Sequence, residues 1–134
     1  MALMVDANVF VHFERRGVPI DLSLWEPSED VFISVVTVSE LLMGVHRAES
    51  EARRKRRSEF VEAILAGVSV LDFTIAAARR HAQLYAELSQ QGRLIGAHDM
   101  IIAATALHHN LSLLTENVEE FSRVAGLRVI PFGA

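Results

Sequence analysis

Cysteine is absent from the 134 residues, which excludes disulfide scaffolds, thiolate metal sites and cysteine nucleophiles. Basic residues are in deficit: 13 Lys and Arg against 17 Asp and Glu leave a net charge of −4, and Lys55 is the single lysine. That balance argues against a protein that coats nucleic acid. It does not argue against a nuclease, because a bound cation can bring positive charge to the site. No apolar run has the length of a membrane span. The first residues show no basic segment followed by an apolar stretch and a small-residue cleavage site, so a soluble, cytoplasmic protein is expected. Repeats, low-complexity tracts and Pro/Gly-rich linkers are missing. The three prolines, Pro19, Pro27 and Pro131, fall near expected loops or ends. What is present, 51 % apolar and 22 % charged residues, suits a folded core in one domain over residues 1–134.

Residues 2–5 read as a short buried strand, with Asp6 directly behind it. Further strands are expected over 31–35, where β-branched residues gather, and over 68–73, 111–114 and 127–130. Helices are expected over 9–15, 37–47, 51–65, from the N-cap Thr74 to about 90, over 100–109 and over 118–123. Helix 100–109 is apolar on nearly all sides and should be buried. Strand and helix alternate throughout, which predicts an α/β domain with a mainly parallel central sheet flanked by helices. Such sheets bind ligands beyond the carboxyl ends of their strands, where the strand order reverses.

Three acids stand apart from the charged stretches. Asp6 is the only carboxylate before Glu14, Glu40 the only ionisable residue from Val31 to Val45, and Asp99 the only acid between Glu87 and Glu116. A carboxylate in an apolar setting is costly unless paired or coordinated. Each has a structural explanation: Asp6 as a cap assisted by Asn8, Glu40 in a capping box with Thr37, Asp99 at a helix N-terminus. Basic partners are scarce around all three. That favours a hard cation such as Mg²⁺ or Mn²⁺, which prefers carboxylate oxygen and water.

Four segments match a known pattern in order: Val5-Asp6-Ala7-Asn8-Val9, Ser39-Glu40-Leu41-Leu42-Met43-Gly44, Ile95-Gly96-Ala97-His98-Asp99 leading into Ile102-Ala103-Ala104-Thr105-Ala106, and Leu114-Thr115-Glu116-Asn117-Val118-Glu119-Glu120-Phe121. With these segments the chain resembles the PIN-domain ribonucleases, and among them the VapC toxins of toxin–antitoxin pairs. The resemblance implies a PIN-like fold and Mg²⁺- or Mn²⁺-dependent hydrolysis of RNA phosphodiester bonds. Asp6, Glu40 and Asp99 fall on the family's three most regular acidic positions. Glu120 falls where a fourth acid, commonly aspartate, precedes the phenylalanine. The resemblance further implies a VapB-type antitoxin as partner, and a homodimer.

On this reading Asp6 and Asp99 are the principal metal ligands. Glu40 is left as direct ligand, holder of a water of the ion's shell, or base. Thr115 and Asn117 are outer-shell or substrate contacts. His98 and the pair His108-His109 are read as structural rather than catalytic. The basic run from Arg53 to Arg57 is either a solvated helix face, balanced by nearby glutamates, or a phosphate-guiding patch. Three other readings are weighed. A catalytically inactive PIN-like binding module would not need all three acids. A phospho-acceptor receiver domain would need an acidic pair after the first strand and a late lysine, and the sequence has neither. An aspartate-nucleophile phosphatase fails at Asn8, where a second aspartate is required.

Overall fold

A computed structural model describes residues 2–23 and 30–133; Pro27, expected in a loop, lies outside the described residues. Five strands, β1 (Leu3–Val5), β2 (Val31–Ser34), β3 (Ser69–Leu71), β4 (Ser112–Thr115) and β5 (Val129–Pro131), form one sheet in the order β3-β2-β1-β4-β5. Every neighbouring pair is parallel. Register is set at the centre by Leu3, Met4 and Val5 lying beside Ser112, Leu113 and Leu114. Helices α1 (Ala7–Arg16), α2 (Val35–His46), α3 (Glu51–Gly67), α4 (Ile75–Gln90), α5 (Ala97–His108) and α6 (Val118–Phe121) supply the connections.

The central strands β1 and β4 are buried along their whole length between the helical layers, whereas the edge strand β3 is largely exposed. Successive strand residues point to opposite faces. Leu3, Val5, Ile33 and Leu114 therefore join Phe10, Leu41 and Ile64 of α1 to α3 in one core. Met4 and Leu113 join Leu88 and Ile102 of α4 and α5 in the other, with Phe121 of α6. The expectation of a buried helix near residue 100 holds: α5 buries six of its residues, four of them alanine or threonine, which lets it approach the sheet closely.

Three helices start earlier than the sequence pattern predicts, and in two of them a capping side chain explains it. Asp6 is the N-cap of α1, accepting from the Ala7 N–H at 2.8 Å. Ser34 caps α2, its Oγ accepting from the Val36 N–H at 3.1 Å. Val35 is thus the first helical residue rather than the last of a strand. Thr37 lies inside the first turn, and the expected Thr37–Glu40 capping box does not form. Gly96 precedes α5, which places Asp99 in its first turn. Thr74 caps α4 as expected, accepting from the Ala77 N–H at 3.2 Å. At the other end of α1, Gly17 adopts φ 66° and turns its N–H to the carbonyls of Glu14 and Phe13, a left-handed geometry that favours glycine. No helix of the described residues is long and apolar enough to cross a membrane.

Candidate active site

The strand order reverses between β1 and β4: from β1 the chain first builds outward through β2 and β3, then returns to add β4 and β5 on the other side. Asp6 follows the last residue of β1, and Thr115 is the last residue of β4. These two side chains meet at the carboxyl ends of adjacent parallel strands, the crevice where open α/β sheets place their ligands.

Asp6 is only 5 % exposed. Its Oδ2 accepts from Thr115 Oγ1 at 2.7 Å and from Asn8 Nδ2 at 3.2 Å, while Oδ1 holds the Ala7 N–H. Asn8 binds the two strand ends together, because its Oδ1 also accepts from the Glu116 N–H at 3.2 Å. Thr115 Oγ1 accepts in turn from the Asn117 N–H at 2.9 Å. The Asn117 side-chain amide then donates to two acids, Asp99 Oδ2 at 3.3 Å and Glu120 Oε2 at 2.6 Å. One hydrogen-bonded chain thus runs from β1 through β4 to α5 and α6. Glu40 enters from α2, with His98 Nδ1 lying 3.5 Å from its Oε2.

The electrostatics match this geometry. Burial pushes the Asp6 carboxyl above its ordinary value despite three donors, with Glu116 adding to the rise. Burial and the Asp6 charge raise Glu40. Burial, then the charges of Asp6, Glu120 and Glu40, lift Asp99 to about 6. His98 is the one positive influence on Glu40 and Asp99, and neither lysine nor arginine contributes to any of the three shifts. The carboxylates repel one another, with no lysine or arginine among the described residues to offset them.

Two buried oxygens among the described residues lack a hydrogen-bond partner, Thr37 Oγ1 and Glu40 Oε1, one turn apart on α2. Buried polar atoms are rarely left this way. Among the described residues, no three acids or histidines are drawn tightly enough to clasp an ion by themselves. Mg²⁺ does not demand that, since it keeps several waters and takes one or two carboxylates together with substrate phosphate. A hard-oxygen set of repelling acids, one with an unpartnered buried oxygen, fits such an ion; Asp6, Asp99 and Glu40 could hold it.

The structure brings Asp6, Glu40, Asp99, Glu120, Thr115 and Asn117 to one place. Glu116 and Glu119 are exposed or partly so. His108 and His109 meet edge to face, their ring centroids 4.8 Å apart, at the far end of α5. Two participants are undervalued by the sequence pattern. Asn8 reads there only as a helper in a cap, yet it ties β1 to β4; its place two residues beyond Asp6 is the available signal. His98 reads as structural because it neighbours Asp99 on a helix, whereas its contact is with Glu40 on another helix.

A family profile described as PIN domain matches residues 3–127. Ribonuclease VapC1 of Rickettsia felis is 36 % identical over 97 % of the chain and 96 % of its own length. The tRNA(fMet)-specific endonuclease VapC of Shigella flexneri is 41 % identical over 72 % of the chain and 70 % of its own length. Among solved structures, VapBC2 from Rickettsia felis bound to a DNA fragment from its promoter superposes with a TM-score of 0.88 at 26 % identity, covering 99 % of this chain and 100 % of that one.

Proposed function

The chain belongs to the PIN-domain family and, within it, to the VapC ribonucleases, and on that premise we propose that it is a metal-dependent endoribonuclease acting as the toxin of a toxin–antitoxin pair. The observation that supports this reading best is the gathering of four acids at the strand-order switch, oriented by neutral donors and met by no lysine or arginine among the described residues. A structural acid cluster would be expected to carry its own cations.

In this reading Asp6 and Asp99 would be the principal holders of Mg²⁺ or Mn²⁺, with Glu40 and Glu120 as further candidate ligands. When bound, the ion offsets the charge that accumulates on the phosphate and makes water a better nucleophile. The chain's own work is orientation and proton handling. Thr115 and Asn8 fix one Asp6 oxygen, and the Ala7 N–H fixes the other. Asn117 spaces Asp99 from Glu120 by donating to both. The Glu40 carboxylate, next to the charges of Asp6 and Asp99, would accept a proton of the attacking water. Its basicity is raised by burial and by Asp6. His98 steadies the other Glu40 oxygen.

The partners follow from the same premise: RNA as substrate, a VapB-type antitoxin as inhibitor, and a second copy of the chain in a homodimer, in the cytoplasm. The test is cleavage of a mixed RNA panel by purified protein. Strand scission is expected with Mg²⁺ or Mn²⁺ and none in EDTA. Undiminished cleavage in excess chelator, once contaminating ribonucleases are excluded, would overturn the metal-dependent reading.

A further inference from the structure

Eight of the thirteen Lys and Arg lie between residues 15 and 57, on or beside helices that cover a single face of the sheet. The tertiary structure sorts them into two kinds. Arg54 pairs with Glu51 and reaches the Ala48 carbonyl, and Arg57 joins Glu14 to the Gly44 carbonyl, so both are held by the fold. Arg15, Arg16, Arg47, Arg53, Lys55 and Arg56 are exposed, and no polar partner holds their side chains among the described residues; Arg53 and Arg56 line a separate groove together with Arg15.

Arg15 occupies a singular place. It lines a groove of about 320 Å³ between α1, α2 and α3 that is bordered by Glu40 and also holds Arg47 and Arg57. It equally lines a second groove of about 320 Å³ whose wall is Asn8 and Glu116, with His12 and Arg16 alongside. The first groove opens beside one of the site's acids. The second opens beside the residue bonded to Asp6. Arg15 is therefore the cation shared by the approaches on two flanks of the acidic centre, and α1, which carries it, begins at Asp6 itself.

An acidic centre repels a polyanion, so an RNA strand crossing it needs cations on the flanking phosphates. We infer that Arg15, with Arg47 on the Glu40 side and Arg16 on the Asn8 side, binds the phosphates flanking the scissile bond and sets the path of RNA across the site. The interactions are with backbone phosphate, so they position the strand without selecting its sequence. The inference rests on the ribonuclease reading. Charge complementarity favours nucleic acid as the occupant. These arginines have no carboxylate partners among the described residues, and they line one groove bordered by Glu40 and another walled by Asn8, which bonds to Asp6.

The test is the steady-state kinetics of single-stranded RNA cleavage by Arg15→Gln and by the Arg15→Gln/Arg47→Gln double variant, across a salt series. Circular dichroism checks the fold. Arg80→Gln, on α4 across the sheet, serves as the charge-matched control. For Arg15→Gln, KM is expected to rise about tenfold with kcat changed far less. The dependence of log(kcat/KM) on log salt should flatten by about 0.7 for each phosphate that is no longer neutralised. Arg80→Gln should match wild type. Cleavage by folded double variant with unchanged KM and salt slope would overturn the inference and leave the grooves to a protein segment. An equal loss in Arg80→Gln would reduce the effect to net charge and overturn it as well. A wild type that cleaves no RNA with either ion would bring down the ribonuclease reading itself, an outcome distinct from both.

Discussion

Glu14 and Asp6 stand at opposite ends of the same ten-residue helix, and they live under opposite electrostatics. Glu14 is answered by the Arg57 guanidinium at 3.1 Å, which also holds the Gly44 carbonyl and so ties α1 to α2 and α3. Asp6 is answered only by a hydroxyl and two amides, and other carboxylates face it from α2 and α5. The first acid is part of the scaffold. The second is held in position but left uncompensated, at a cost to the stability of the protein on its own. An arginine at one end of a helix and none at the other leaves the acids at that second end without a cation from the described residues, which is the arrangement the metal-dependent reading rests on.

The sharpest way to break this comparison is to neutralise the uncompensated acids. Asp6→Asn and Asp99→Asn are each expected to lower RNA cleavage by about three orders of magnitude, several kcal/mol of lost transition-state stabilisation, with the far-ultraviolet circular dichroism preserved. Unfolding of Asp6→Asn would show instead that the carboxylate matters as the cap of α1. Next in size is Glu120. It touches the centre through Asn117, so Glu120→Gln should keep part of the activity and raise the Mg²⁺ requirement by about tenfold. Glu119→Gln, at the preceding position, should leave the metal titration unchanged. A larger defect in Glu119→Gln would show that α6 presents a different acid.

Smaller effects lie in stability without metal, where the two classes of acid should differ in sign. The Asp99 carboxyl ionises at about 6 in the folded protein against 3.8 unperturbed. Between those values the folded state keeps a proton that the unfolded chain has released. The associated stability is therefore complete below about pH 4 and is lost as pH rises through about 6. Asp99→Asn removes that loss. In EDTA at about pH 7.5 it should stabilise by on the order of 1 kcal/mol once solvent screening of this half-buried group is allowed for, a Tm increase of a few degrees. The gap should close at about pH 4. Glu14→Gln should do the reverse, destabilising by about 0.5 kcal/mol as a partly exposed ion pair is removed. Thermal melts of both variants at the two pH values check the signs. Equal signs would remove the distinction between scaffold and site.

How much was legible in the sequence can be judged residue by residue. Asp6, Glu40 and Asp99 announce themselves because each is a lone charge in an apolar segment, and burial cost makes such charges rare without a reason. The α/β alternation is legible for the same energetic cause, since strands buried on both faces must be apolar throughout. The start of α2 is not. Thr37 and Glu40 have a capping-box spacing, but Ser34 sits three residues earlier, at the end of β2, and takes the cap. Local patterns of this kind compete, and the sheet decides where the strand stops. The roles of the arginines are also hidden. The dense run from Arg53 to Arg57 is the conspicuous one, yet two of its members are bound into the scaffold, while Arg15 lines both the groove bordered by Glu40 and the groove walled by Asn8.

The sequence by itself determined the layered α/β architecture, the family, and which acids are unusual, because these depend on hydrophobic periodicity and on the cost of burying charge. Only the tertiary structure decided how those acids are held. Asn8 and Thr115 are 107 residues apart, and their contact exists because β1 and β4 lie side by side in one register at the reversal of strand order. His98 meets Glu40 across 58 residues for a similar reason, the approach of α5 to α2. A hydrogen bond requires its atoms within about 3 Å, and only the packing of the whole chain sets distances that fine between segments so remote.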